Sequence, residues 1–243
     1  MSALLRAELL KLRTTRTFVA LVGAALVLSL IVVGLLAALS NNLSKSDVRD
    51  LFTADFSGFF ILLLGVIGMA GEWRHRTITG TILAAPNRIR LLAAKTLSYA
   101  VAGAVLSLIV TATIMLVGTV ILSARGETTV GVGDLADVLW RNLVVAALLG
   151  ALGVCIGGLL RNQVVATVGL LVVSFAVEPT VIAVADEVGK FGPLVGAPSG
   201  IQGVSTSDGA AILPTGVAVI VMIGWVGIAF AATGWLLKRR DLV

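Results

Sequence analysis

An all-α, polytopic integral membrane protein, with six transmembrane helices and an amphipathic N-terminal helix at the interface, is the fold predicted by three observations. Apolar residue types make up 58% of the 243 residues and charged ones only 13%, a balance outside that of soluble globular domains. Apolar tracts, uncharged but for Glu178 in the fifth and approaching the roughly 20 residues that a bilayer-crossing helix needs, recur at 18–39, 56–71, 96–124, 142–160, 163–185 and 214–237. The basic residues between those tracts are distributed unevenly. Thirteen of the 18 Lys and Arg fall at the two ends of the chain, between tracts two and three, and at Arg161. By the positive-inside bias these connections and both termini, which six spans put on one side, are cytoplasmic; the excess of Arg over Lys and the prominence of Ala, Val and Gly hint at a GC-rich bacterial genome, so the membrane is expected to be a bacterial plasma membrane. The net charge of +5 is thereby explained by orientation and lipid headgroups, without nucleic acid.

The first 17 residues carry Leu5, Leu9 and Leu12 on one helical face with Arg6 and Arg13 beside it. That pattern suits a helix lying in the headgroup plane; an unstructured basic leader is the other reading. The apolar run behind it is too long for a signal-peptide h-region and reads as a retained anchor. Tract two is short as written and is expected to continue helically toward Thr81, with Trp73 at the interface.

The outer connections differ in kind. Those at 40–55 and 125–137 are polar and acidic, whereas 186–213 mixes Pro193, Pro198 and many glycines with Phe191, Leu194, Val195 and Ile201. A re-entrant hairpin buried against protein tolerates such backbone, and a flexible loop is the alternative. Gly153 and Gly157 form a G-x-x-x-G in tract four, read as an intramolecular packing seam. Trp225 falls mid-span and is read as packing. Glu178, the carboxylate within tract five, is read either as marking the helix end or as a gate or substrate contact.

Motifs of catalysis are missing. No phosphate-binding G-x-x-x-x-G-K-[ST] loop occurs, so the chain has no ATPase machinery of its own. The single cysteine, Cys155, excludes an internal disulfide and is read as a packing residue, and the single histidine, His75, leaves no metal site or catalytic set.

One segment interrupts the apolar sequence: EWRHRTITGTILAAPNRIRLLAAK, residues 72–95. Its cations would each cost about 2.5 kcal/mol or more at mid-bilayer, so it must leave the membrane. Glu72 and Arg76 are spaced i, i+4, as a partly desolvated ion pair at the helix end or as a solvated one. Pro86 and Asn87 then break the helix before Arg88 and Arg90. The segment is a protruding cytosolic elbow.

With Glu72, Arg76, Thr77, Gly80, Thr81, Pro86, Arg88 and Lys95 as the recognisable pattern, the elbow resembles that of the permease subunit of ABC type-2 exporters. The order of six spans and the Gly/Pro-rich insert extend the resemblance over nearly the whole chain. It implies a single permease domain over 1–243, driven by a separate ABC ATPase subunit that binds ATP and Mg, and paired with a second permease copy or a homologous permease in membrane lipid. It implies ATPase coupling through Glu72 and Arg76 and docking through Leu83, Ala84, Ala85, Pro86, Asn87, Arg88, Ile89 and Arg90. It implies an extracellular gate at 187–213 and a substrate path through Phe59, Phe60, Ser174, Phe175 and Glu178. The expected cargo is hydrophobic or amphipathic: a drug, a lipid or a peptide. A membrane-bound immunity or sensor protein that binds a toxic peptide or lipid without transporting it is the alternative, and the elbow argues against it. A lipid-modifying enzyme would need catalytic groups that the sequence lacks.

Overall fold

The computed structural model describes residues 2–75, 77, 87–160, 162–204 and 211–239. Among these the ordered elements are helical and no strand occurs. They are α1 (Ser2–Thr14), α2 (Arg16–Leu39), α3 (Lys45–Phe52), α4 (Ser57–Arg74), α5 (Arg88–Ala124), α6 (Val132–Leu160), α7 (Gln163–Val172), a π-helical turn (Val173–Val177), α8 (Glu178–Val184), α9 (Asp186–Gly189), α10 (Gly196–Gln202) and α11 (Thr215–Arg239). Among the described residues, six helices are long and apolar enough to cross a membrane, α7 through α8 counting as one and α3 leading into α4. The protein is therefore a multi-pass, all-α membrane protein.

Span α6 is the hub. It packs along α4 and α5 on one side and α11 on another, and most of its length is buried, whereas α2 and α11 remain largely exposed. Small residues permit the close approach. A Cβ on Gly65 would lie 2.8 Å from the Val154 nitrogen, and one on Gly157 would lie 2.7 Å from the Val66 oxygen. Gly153 likewise meets the Leu62 backbone. The G-x-x-x-G is thus a seam within the chain, between α4 and α6.

The structure corrects several sequence expectations. The 40–55 connection is not a plain loop: Ser44 and Asp47 form a capping box that starts α3, and α3 buries Val48, Leu51 and Phe52. Helix α4 does not continue toward Thr81. It ends at Arg74, because the Thr77 N–H turns back onto the Glu72 carbonyl at 3.0 Å and closes the last turn; residues 78–86 lie outside the described residues. Span three begins at Arg88, where Asn87 accepts the Arg90 N–H and caps the helix. Span four begins ten residues before the apolar tract, at Val132.

Span five is continuous but widened at Val173–Val177, where the Glu178 N–H reaches back to the Val173 oxygen. Pro179 explains the widening. It lacks an N–H, and its ring clashes with the carbonyl four residues earlier, so the turn expands to accommodate it. Beyond α8, Asp186 accepts the N–H groups of Glu187 and Ala211, bonds that hold its carboxyl below the usual carboxylate range. Helix α10 is buried through Gly196, Ala197, Pro198, Gly200 and Ile201. Gly203, at φ 78°, ends it in the left-handed conformation that suits glycine.

Candidate functional site

The elbow end of the bundle is built around a buried lysine. Lys95 is 1% exposed and donates to Glu8 Oε2 at 2.7 Å and to Glu72 Oε1 at 3.0 Å. Lys11 adds a second ammonium on Glu72 Oε1. Glu8 and Glu72 are themselves buried, so the charges are retained out of water only because each faces an opposite one. Helix α1 brings Glu8 and Lys11, α4 brings Glu72 and α5 brings Lys95.

This arrangement revises two readings and leaves a third, the Glu72–Arg76 pair, untested. Lys95 belongs to the interior and not to the solvent face of the elbow. The described partners of Glu72 are Lys95 and Lys11, while Arg76 lies outside the described residues. The buried face of α1 runs through Glu8 and Leu12, and Leu9 and Leu10 are exposed. Glu8 and Lys11 were not singled out in the sequence, although Glu8 lies one turn before Leu12, a spacing that puts both on one side of a helix.

Of the expected docking residues, Leu83, Ala84, Ala85 and Pro86 also lie outside the described residues. The others divide by role. Arg88 donates to the Leu237 carbonyl near the end of α11, a charge-assisted cap on a helix C-terminus. Ile89 packs on Gly234, where a Cβ would come within 2.8 Å of its Cδ1. Asn87 and Arg90 are exposed. Two of these four residues therefore fasten the start of α5 to α11, and two face outward.

The substrate-path residues come together in part. Phe59 meets Phe175 edge-on with centroids 5.2 Å apart and Phe60 at 5.6 Å, so α4 and the π turn share an aromatic cluster. Phe175 is exposed, whereas Ser174 is buried and its hydroxyl has no hydrogen-bond partner. Glu178 faces elsewhere. Its carboxylate accepts the backbone N–H groups of Leu194 at 3.0 Å, Val195 at 2.6 Å and Gly196 at 3.4 Å. It does not mark a helix end, since α8 continues to Val184. Trp225 is half exposed, and its indole N–H donates to the Phe191 carbonyl at 2.8 Å. It tethers the insert and does more than pack.

The opposite end carries a second polar network. Arg141 donates to Asp137 at 3.0 Å, the Ile201 carbonyl at 3.0 Å and Thr215 at 2.8 Å, and Arg49 joins Asp137. Gln202 donates to Asn142 at 2.9 Å, and Asn142 to the Phe52 carbonyl at 3.1 Å. Ser107 and Thr111 donate to Asp55 at 2.7 and 2.6 Å. Helices α3, α5, α6, α10 and α11 are joined there. Cys155 is buried and free. Among the described residues, no group of three or more His, Cys, Asp or Glu side chains is placed to hold a metal ion.

A family model described as ABC-2 family transporter protein matches residues 4–178. No curated protein matches the chain.

Proposed function

Because the chain belongs to the ABC-2 family of transporter proteins, and is thereby the membrane permease of an ABC-type transporter, we propose that it exports a hydrophobic or amphipathic cargo. The energy comes from ATP and Mg bound on an ABC ATPase subunit, the kind of partner the family implies. Two permease copies, or this chain and a homologous one, enclose the cargo path in the plasma membrane, with both termini on the cytoplasmic side where the basic residues collect.

One observation carries the reading: the start of α5, just after the elbow, is fastened to the rest of the bundle at two places. Arg88 holds the end of α11, and Lys95 holds α1 and α4 through Glu8 and Glu72. A push on the elbow is thus delivered to four helices together instead of being lost in one flexible loop. Closure of the ATPase pair then favours whichever bundle arrangement it binds better, and the cavity alternates its access. The aromatic cluster of Phe59, Phe60 and Phe175 offers an apolar contact to such a cargo. Glu178 serves this path by holding the insert in place.

The test is co-purification in mild detergent of the ATPase subunit with wild-type chain and with Arg90→Glu, leaving Arg88 intact because it caps α11. Recovery of an ATPase with the wild type and its loss with the variant supports the coupled permease. Equal recovery with both overturns the role of Arg90, and no ATPase with either folded protein overturns the reading of its engine.

A further inference from the structure

A cavity of about 450 Å³ opens at the elbow end between α1 and the last turns of α4, a volume that suits a drug-sized ligand. Leu64 and Ile67 give it apolar wall, Tyr99 an aromatic one, and Glu8 and Glu72 two carboxylates. Glu72 is 3% exposed, and its Oε2 is buried without a hydrogen-bond donor, a costly state for a carboxylate oxygen.

The two ammonium groups on Glu72 Oε1 are not equivalent. Lys95 is locked inside and shared with Glu8, but the Lys11 side chain is 49% exposed and can swing into water. When it does, Glu8, Glu72 and Lys95 leave one net negative charge in a low-dielectric pocket. Such a pocket attracts a single positive charge. Arg74 and His75 at the mouth are exposed, and their repulsion of an incoming cation is screened by water and salt.

We propose that this cavity binds the ammonium group of an amphiphile, which replaces that of Lys11 at Glu72 while the apolar body lies against Leu64 and Ile67. The inference rests on the permease reading only for its meaning as cargo selection; the binding itself requires no ATPase. The ammonium comes either from a soluble cargo or from an ethanolamine lipid headgroup.

The experiment is equilibrium dialysis of radiolabelled propranolol, a protonated naphthyl amine, against the full chain in phosphatidylcholine nanodiscs, with empty discs as the blank. Saturable binding is expected, weakened at least tenfold by Glu72→Gln and tightened severalfold by Lys11→Met, which removes the internal competitor. The anionic 1-naphthoxyacetic acid is expected not to compete. Adding phosphatidylethanolamine separates the two sources: competition assigns the site to the lipid ammonium, and its absence to a soluble cargo. No saturable binding to wild type and Lys11→Met, unchanged affinity in Lys11→Met, or equal competition by the acid overturns the proposal. Lys11→Met alters a half-exposed side chain and carries the test should Glu72→Gln fail to fold. Failure here alongside normal ATPase co-purification removes the ammonium site and leaves the permease reading intact.

Discussion

Lys95 and Glu8, separated by 87 positions in the chain, meet at 2.7 Å in the protein interior. The contact ties the first helix to the third span. Replacing Lys95 by Met leaves Glu8 and Glu72 buried without that cation, which is expected to destabilise the fold by about 3–5 kcal/mol. Thermal unfolding in detergent, followed by tryptophan fluorescence, checks this. Removing both carboxylates together with the lysine is expected to recover much of the loss, and a triple variant no more stable than Lys95→Met would refute the account.

Gly157 is expected to tolerate no larger residue. Gly157→Leu drives a side chain into the Val66 backbone and should cost about 1–3 kcal/mol through overpacking, or more. Gly224 has open space around its Cβ position. There, Gly224→Ala is expected to be neutral or slightly stabilising, by about 1 kcal/mol at most, since alanine is the better helix former. The two melting temperatures should move in opposite directions or differ widely.

The cations at the start of α5 should separate in the same assay. Arg88→Ala removes the cap on the Leu237 carbonyl and is expected to lower stability by about 1–2 kcal/mol. Arg90→Ala lies on the exposed side and should stay within about 0.5 kcal/mol of wild type. Equal losses would mean that the α11 contact contributes nothing particular.

Glu178→Gln keeps the shape of the side chain and removes the charge that strengthens its bonds to Leu194, Val195 and Gly196. A loss of about 1.5 kcal/mol in local opening is expected, which is about a tenfold faster amide exchange in that stretch. Hydrogen exchange read by mass spectrometry on peptides from 191–204 measures it. Unchanged protection would show that the carboxylate is dispensable to the insert.

The six spans were legible because span detection needs only composition over about 20 residues. What was not legible depended on partners distant in sequence. Lys95 reads as one more cation of a basic elbow, and nothing local says that Glu8 waits for it. Arg88 and Arg90 are two residues apart and chemically alike, yet one faces a helix end that the sequence places 149 positions away. Helix α3 was missed for a different reason. Its average polarity hides a buried face, although the Ser44-x-x-Asp47 box was visible. The widened turn before Pro179 was not read from the sequence, because the direction in which it aims Phe175 is set by packing against Phe59.

The grip of Glu178 on the insert uses only main-chain donors, and every residue except proline has one. Attachment at positions 194–196 is therefore indifferent to most side-chain identities there. The tight places include Gly189, Gly192 and Gly196, where a Cβ would collide with Ile182, with the Glu178 carboxylate and with the Gly189 carbonyl. A segment held in this way can exchange most of its surface chemistry without losing its anchorage, so the exposed side of residues 186–204 is a replaceable face on a fixed mount, open to new contacts at small cost to the fold.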